Sequence, residues 1–157
     1  MLIYPDYSQI INYVVSYLSK LNIKTLKTFT PEKIITPQIV YQTATLQNSK
    51  FQRNFIKTQS HTYHKLYDET FQIHLTLIDK NQNINQTAKQ INNHLINIPP
   101  LQTDEYLLFF KYTPFKPQTD TDLEKQQISI QKAVLQTTYP VLKKKQLINL
   151  QIKTQNV

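Results

Sequence analysis

The sequence has no glycine, no cysteine and no tryptophan among its 157 residues, and it has a single methionine. The absence of glycine excludes Gly-rich phosphate loops and the GxSxG turn, which need a residue that adopts positive φ and admits close backbone approach. The absence of cysteine excludes disulfides, Cys-ligated zinc, iron–sulfur clusters and thiol catalysis. These exclusions leave a binding protein, or a hydrolytic site made of His, Asp, Glu, Ser and Lys.

The charge balance is strongly basic. The chain has 18 Lys+Arg and 10 Asp+Glu, which gives a formal net charge of +8 at pH 7 and a pI near 9.5. Such an excess of positive charge favours a polyanionic partner, above all nucleic acid.

The choice of residue types is biased in one direction. Arg53 is the only arginine, and alanine occurs only at Ala44, Ala88 and Ala133, whereas Asn, Gln, Thr, Ile, Lys and Tyr are abundant. The depleted types share codons that contain guanine, so the bias indicates a guanine-poor gene, which is commonest in organellar genomes. We therefore expect an organelle-encoded protein.

Membrane insertion and targeting signals are not evident in the sequence. Residues 1–6 carry neither an apolar signal core nor an Arg-rich amphipathic pattern. The longest apolar run, at residues 106–110, is far shorter than the roughly 18 residues that a spanning helix needs. We therefore expect no membrane span.

Two segments have the apolar spacing of amphipathic helices. In residues 8–21 the apolar positions recur every three or four residues, and Ser8 is the expected N-cap because its hydroxyl can accept a free amide hydrogen bond. Residues 84–96 keep the same spacing until Pro99 and Pro100 end the pattern.

Strand patterns lie between and after these helices. Residues 70–78 alternate apolar and polar side chains, as a half-buried strand does, and residues 105–112 are apolar on both faces. Prolines and β-branched residues at 34–41 favour extended chain. A short strand at 2–4 precedes the first helix, and Asn and Asp at 79–83 take the turn positions that glycine usually fills.

This order of elements, β-α-β-β-α-β, predicts an α+β fold. Specifically, it predicts a ferredoxin-like split β-α-β sandwich with its helices on one face of the sheet. The connection between the second and third strands is long for a compact domain, which predicts an extended β-hairpin at about residues 34–70. We therefore expect a core at residues 1–112 that includes this hairpin.

The remainder of the chain is expected to be a C-terminal extension. Pro114, Pro117 and the acidic stretch after them predict a linker. Residues 113–157 then follow, with a helix that starts at Thr121 or Asp122.

Residues 50–65 are the strongest candidate for nucleic-acid binding. They contain no Asp or Glu, and their basic groups are interleaved with aromatic rings. Lys and Arg neutralise phosphates, whereas aromatic rings and imidazoles stack on unpaired bases. The candidate RNA-binding residues of this segment are Lys50, Arg53, Phe55, Lys57, His61, Tyr63, His64 and Lys65. A solvated basic hairpin is the alternative interpretation.

A second basic cluster consists of Lys143, Lys144 and Lys145. In isolation such a run is a solvated tail, but in a basic protein it also suits an anchor on RNA phosphates. We include the three lysines among the candidate RNA-binding residues.

Metal binding and catalysis find little support in the sequence. His61 and His64 are three residues apart, and on a strand this spacing places them on opposite faces. The adjacent carboxylate pairs Asp68-Glu69 and Asp104-Glu105 each precede a predicted strand, with no sign of the cleft that acid–base catalysis needs. We therefore expect no metal, no cofactor, no small-molecule substrate and no enzymatic activity.

Residues 55–74 resemble the hairpin of the universal small-subunit ribosomal protein family numbered ten. That family carries an aromatic residue, then Ser-Pro-His, then Lys, then Glu-x-(Phe/Tyr)-x-(Ile/Met)-Arg. The residues that fall on matching positions without a gap are Phe55, Ser60, Lys65, Glu69, Phe71 and Ile73. On this ground Ser60 joins the candidate RNA-binding residues.

The sequence also departs from the family pattern. His61 stands where the family has proline, and Asp68 and His74 replace usual arginines. Residues 36–39, Thr-Pro-Gln-Ile, are similar to the family's Gly-Pro-Ile-Pro stretch. The resemblance covers roughly residues 2–112, and the family's first strand is reduced here to a few residues.

The resemblance implies a divergent organellar member of this family, with the same split β-α-β fold. It implies a structural constituent of the small subunit of a mitochondrial ribosome, which binds ribosomal RNA and neighbouring proteins in the subunit head. An accessory subunit of a mitochondrial respiratory or ATP-synthase complex fits the codon bias equally well, and a small hydrolase with Asp/His chemistry is a third alternative.

Overall fold

A computed structural model describes residues 2–30, 34–47, 54–57 and 62–144, and for 54–57 it describes the backbone. In the described residues the elements in chain order are β1 (Leu2–Ile3), α1 (Tyr7–Ser19), β2 (Lys24–Leu26), β3 (Gln38–Gln47), β4 (Asn54–Lys57), β5 (Thr62–Lys80), α2 (Ile84–Leu95), β6 (Leu101–Gln102), β7 (Leu107–Leu108), β8 (Phe110–Gln118), α3 (Thr121–Glu124) and β9 (Ile128–Lys144). This mixture of helices and strands is compatible with the expected α+β class. No helix in the described ranges is long and apolar enough to cross a bilayer.

The contacts divide the chain into two compact units. The first takes in described residues within Met1–Tyr4, Gln47–Glu69 and Tyr139–Val157. The second takes in those within Pro5–Leu46 and Thr70–Thr138.

The helix predicted at residues 8–21 forms as α1. Its apolar stripe of Ile10, Val14 and Leu18 is buried, which explains why the spacing identified it. The expected N-cap was wrong, because Asp6 takes that position and its carboxylate accepts a hydrogen bond from the Ser8 amide at 3.0 Å. A carboxylate also suits the positive end of the helix dipole.

The helix predicted at residues 84–96 is confirmed by α2. Ile84, Ala88, Ile91 and Leu95 are all buried along one stripe.

Two described residues have a positive backbone φ: Asn22 after α1, at 57°, and Gln127 before β9, at 61°. In a chain without glycine, Asn22 fits the known tolerance of asparagine for this region, whereas glutamine is the less common choice.

The sheet of the second unit has the order β8-β9-β5-β3-β2. β8 pairs antiparallel with β9, and β2 pairs parallel with β3. Side-chain hydrogen bonds join Thr70 of β5 to Thr138 of β9, and Gln72 of β5 to Gln136 of β9. The residue numbers of β9 therefore decrease as those of the facing β5 residues increase. β5 and β9 are therefore antiparallel neighbours, which makes β5 and β8 parallel to each other.

One face of this sheet is covered by both helices. The side chains of Phe71, Ile73, Leu75 and Leu77 on β5 are buried there. From α1, the Tyr7 ring stacks on Phe71 at 4.9 Å between centroids. From α2, the Asn85 side chain accepts a hydrogen bond from Gln131 of β9 at 2.9 Å. The strand predicted at residues 70–78 is thus confirmed, within a longer β5.

The first unit contains the ends of the long strands. β1 pairs antiparallel with β9, with Leu2 opposite Lys143, and β4 pairs antiparallel with β5. Tyr139 is buried, and its hydroxyl donates a hydrogen bond to the Glu69 carboxylate at 2.5 Å.

The segment after residue 112 takes part in the sheet. The expected boundary between residues 112 and 113 falls inside β8, and the expected linker with Pro114 and Pro117 lies within that strand. Both prolines are tolerated because β8 is paired only with β9 among the described strands and its register shifts between Thr113 and Lys116. Residues expected in a C-terminal extension form β9, which lies between β5 and β8.

Candidate nucleic-acid interface

The strongest sequence candidate, residues 50–65, contains a hairpin. Its strands pair with Phe55 opposite His64 and Lys57 opposite Thr62. Directly opposed residues of an antiparallel pair share a face. The described backbone of this ribbon is therefore a regular antiparallel pair from Asn54 opposite Lys65 to Lys57 opposite Thr62.

Part of this candidate site lies outside the described residues. That part consists of Lys50, Arg53, Ser60 and His61, and Lys145 of the second basic cluster lies outside as well.

Within the hairpin the structure distinguishes Tyr63 from its neighbours. The Tyr63 ring is only 5% exposed, so it packs inside the unit and is not presented for stacking on a base. His64 is half-buried. The Lys65 ammonium lies 3.0 Å from an Asp68 carboxylate oxygen, and this ion pair reduces the charge that Lys65 offers to a phosphate.

The second basic cluster is accessible. Lys143 and Lys144 are exposed at the end of β9, where Lys143 lies opposite Leu2. Flexible ammonium groups at a strand end suit contacts with a phosphate backbone.

Of the two adjacent carboxylate pairs, Asp68-Glu69 contacts other side chains and Asp104-Glu105 is exposed. Asp68 pairs with Lys65, and Glu69 accepts the Tyr139 hydroxyl hydrogen bond. Asp104 and Glu105 are exposed near the β6–β7 hairpin. In the described part of the chain no three His, Cys, Asp or Glu side chains converge in a way that would hold a metal ion.

A polar sheet surface, which the sequence patterns did not identify, lies opposite the helices. The pairing register places alternate residues of β5, β9 and β8 there, and we call this surface the open sheet face. Its residues are Gln72, His74, Thr76, Ile130, Lys132, Val134, Gln136, Thr138, Lys111, Thr113, Lys116 and Gln118. None of these residues is acidic, and none is Phe, Tyr or Trp.

The lysines of the open sheet face are exposed, and two of them are direct neighbours across the β8–β9 pair. Lys116 is directly opposite Lys132 in the β8–β9 pair, and Lys111 is opposite Gln136. Opposed residues in such a pair have Cβ atoms about 5 Å apart, where like charges are destabilising. Among the described residues none of the three lysines has an ion-pair partner.

A shallow groove of about 280 Å³ runs along this face. His74, Lys116 and Lys132 all line it, together with Thr76 and Thr113. Beside it, the His74 ring Nε2 donates to the Gln72 side-chain oxygen at 3.1 Å, and the Gln72 amide donates to Gln136 at 3.0 Å. These hydrogen bonds connect neighbouring polar side chains of β5 and β9 along the groove.

Two signals in the sequence point to this face: the alternation in residues 70–78, which predicts a polar side of β5, and the alternation in residues 131–141. Ala133, Leu135, Tyr139 and Val141 are buried, and the residues between them are more exposed. Pro140 interrupts that pattern and argues against a central strand.

No protein-family model matches the chain, and no curated protein matches it.

Proposed function

We propose that the chain is an RNA-binding structural protein of the small subunit of a mitochondrial ribosome. In this proposal it belongs to the family numbered ten, lies in the subunit head in the mitochondrial matrix, and contacts ribosomal RNA and neighbouring head proteins. Its role is to hold RNA segments in place through its hairpin and its exposed lysines.

The observation that carries this proposal is the β4–β5 hairpin. It forms within the basic segment that has the family resemblance, and its backbone pairs Phe55 with His64 and Lys57 with Thr62. A two-stranded ribbon of this kind has the dimensions to enter folded RNA, with cations for phosphates and an imidazole for unpaired bases.

The ferredoxin-like fold is part of the same proposal. In a split β-α-β sandwich, each helix joins two parallel strands that have an antiparallel strand between them. α2 joins β5 to β8, which are parallel, and β9 lies antiparallel between them. We infer a ferredoxin-like arrangement in which β9, from the end of the chain, takes the place of the first strand.

This arrangement accounts for the shortened first strand. The family's first strand is reduced here to Leu2–Ile3, and β9 pairs antiparallel with it through Leu142 and Lys143. The sheet position left by the shortened strand is therefore filled by residues 128–144. A central strand supplied from the opposite end of the chain preserves the hydrophobic face on which both helices pack.

The test is sedimentation of the native protein from organelle lysates. In sucrose gradients with magnesium we expect it with whole ribosomes, and after chelation of magnesium we expect it with the small subunit. Comigration with a membrane complex after mild detergent extraction, and absence from the ribosomal fractions, would overturn the proposal in favour of a respiratory or ATP-synthase subunit.

A paired substitution separates the role of the hairpin from that of net charge. The double variant Arg53→Gln/Lys57→Gln removes two cations from the basic segment at residues 50–65, whereas Lys89→Gln/Lys125→Gln removes two exposed cations of α2 and the turn after α3. We expect the first variant to be depleted from small subunits and the second to remain. Equal retention of both would contradict a role for the hairpin.

A further inference from the structure

We propose that the open sheet face is a second RNA-binding surface, distinct from the hairpin, and that it binds the phosphate backbone of double-helical RNA. The RNA class rests on the proposed ribosomal function, whereas the existence of an anion site rests on the geometry of the face alone.

The observation that points to an anion is the Lys116–Lys132 pair. Two exposed lysines are directly opposite each other in the β8–β9 pair, with no carboxylate among the residues of that face. Such a like-charge pair weakens the free protein, since nothing on the face compensates for the repulsion. A phosphate bound between the two side chains replaces their mutual repulsion with attraction, because each ammonium group then faces a negative charge.

The neighbours of this pair suit a sugar–phosphate backbone. His74 lines the same groove as Lys116 and Lys132, and threonine hydroxyls border it. Imidazole, hydroxyl and amide groups can donate to phosphate oxygens and both donate to and accept from a ribose 2′-hydroxyl. Lys111, on the same strand as Lys116, extends the positive charge along β8.

The scarcity of stacking side chains selects the form of the RNA. Single-stranded RNA is held mainly by stacking of bases on aromatic rings, and the open sheet face has no Phe, Tyr or Trp, so that the His74 imidazole is its one ring. Duplex RNA presents stacked, paired bases and two rows of phosphates, which a flat polar surface can bind without base contacts. The open sheet face therefore fits a double-helical RNA segment, which it binds without specificity for the base sequence.

The experiment measures binding of the full chain to an RNA duplex of about 16 base pairs. Fluorescence anisotropy over a series of salt concentrations gives the affinity and its salt dependence. The test variant is Lys116→Gln/Lys132→Gln, and the control is again Lys89→Gln/Lys125→Gln, which has the same net charge and leaves the open sheet face intact.

We expect the test variant to lose about tenfold in affinity, and its plot of log K against log salt to become shallower by about two, one for each phosphate contact removed. We expect the control to bind within about twofold of the original chain. Because the substitutions relieve a like-charge pair, the test variant is expected to melt no lower than the original chain, and circular dichroism checks this.

Three results would overturn the inference. The first is an equal loss of affinity in both variants, which would indicate net charge alone. The second is tighter binding of a single strand of the same length than of the duplex. The third is displacement of the duplex by polyglutamate at equal charge concentration, which would indicate an acidic protein as the partner.

The two proposals fail separately. If the test variant loses duplex binding while the native protein is absent from ribosomal fractions, the open sheet face is still an RNA site and the proposed ribosomal function is wrong. If the protein sediments with the small subunit and the test variant binds the duplex like the original chain, the function stands and the open sheet face is not an RNA site.

Discussion

Tyr17 and His94 each donate a side-chain hydrogen bond to the backbone carbonyl of the other. The Tyr17 hydroxyl donates to the His94 carbonyl at 3.0 Å, and the His94 Nε2 donates to the Tyr17 carbonyl at 2.6 Å. Their rings stack with centroids 3.9 Å apart, and the Lys20 ammonium lies 5.0 Å from the Tyr17 ring centroid. This reciprocal contact joins the end of α1 to the end of α2 on the helix layer.

The first prediction concerns this contact. Tyr17→Phe and His94→Phe each keep an aromatic ring but remove one hydrogen bond, and we expect each to lower the free energy of unfolding by about 1 kcal/mol. Because both changes affect one contact, the double variant is expected to lose less than the two losses combined, by about 0.5 kcal/mol or more. Urea denaturation measures this.

Tyr41→Phe serves as the control for this cycle, since the Tyr41 hydroxyl makes no hydrogen bond with the described part of the chain. Additive losses in the Tyr17 and His94 variants would show that the two hydrogen bonds act independently.

The second prediction concerns alkaline pH. The Tyr112 hydroxyl donates to the Asn92 side-chain oxygen at 2.5 Å, and burial raises the pKa of the Tyr112 phenol above its usual value near 10. The neutral phenol is favoured in the folded state, so its stabilising effect is complete below pH 10 and is lost as the pH rises further.

The measurement is the melting temperature between about pH 9 and 11. We expect it to fall less steeply with pH in Tyr112→Phe than in the original chain, although the variant is less stable at neutral pH because it lacks the hydrogen bond to Asn92. Parallel curves for the two proteins would contradict the assignment.

The third prediction concerns the opposed lysines of the open sheet face. Lys132→Glu replaces a like-charge pair with an opposite-charge pair across β8 and β9, so we expect a gain in unfolding free energy of about 0.5 kcal/mol at low salt. The gain should shrink as salt is added, because exposed charges are screened. The same variant should bind duplex RNA more weakly than Lys132→Gln, and an unchanged melting temperature at low salt would contradict the predicted repulsion.

The fourth prediction concerns β9. A chain that ends after Gln118 lacks the strand that lies between β5 and β8, and we expect it not to fold cooperatively. A chain that ends after Lys144 keeps the whole of β9 and should give a cooperative thermal transition. Circular dichroism with thermal melting compares the two. A cooperative transition in the shorter chain would show that β9 is dispensable.

Local patterns predicted the elements whose apolar faces repeat within a few residues. The stripe Ile84, Ala88, Ile91, Leu95 predicted α2, and the alternation at residues 70–78 predicted a part of β5, because helix and strand periods are written directly into residue spacing. The N-cap of α1 was misplaced, because Asp6 and Ser8 are both good capping residues and only the path of the chain before the helix decides between them.

Long-range pairing could not be read in the same way. Nothing near Gln136 indicates that it lies beside Gln72, 64 residues away, and nothing near Lys116 indicates that Lys132 lies opposite. The prolines of β8 predicted a linker because proline removes a ladder hydrogen bond, and only the position of that strand at an edge of the sheet makes them acceptable.

The sequence by itself determined the absence of glycine and cysteine chemistry, the charge of +8, and the local stripes that form α1, α2 and part of β5. The tertiary structure alone decided that β9 fills the sheet beside β5 and that Lys116 and Lys132 share one carboxylate-free face. The physical reason is that composition and periodicity are properties of neighbouring residues, whereas a surface is assembled from strands whose pairing is set by how the whole chain buries its apolar side chains.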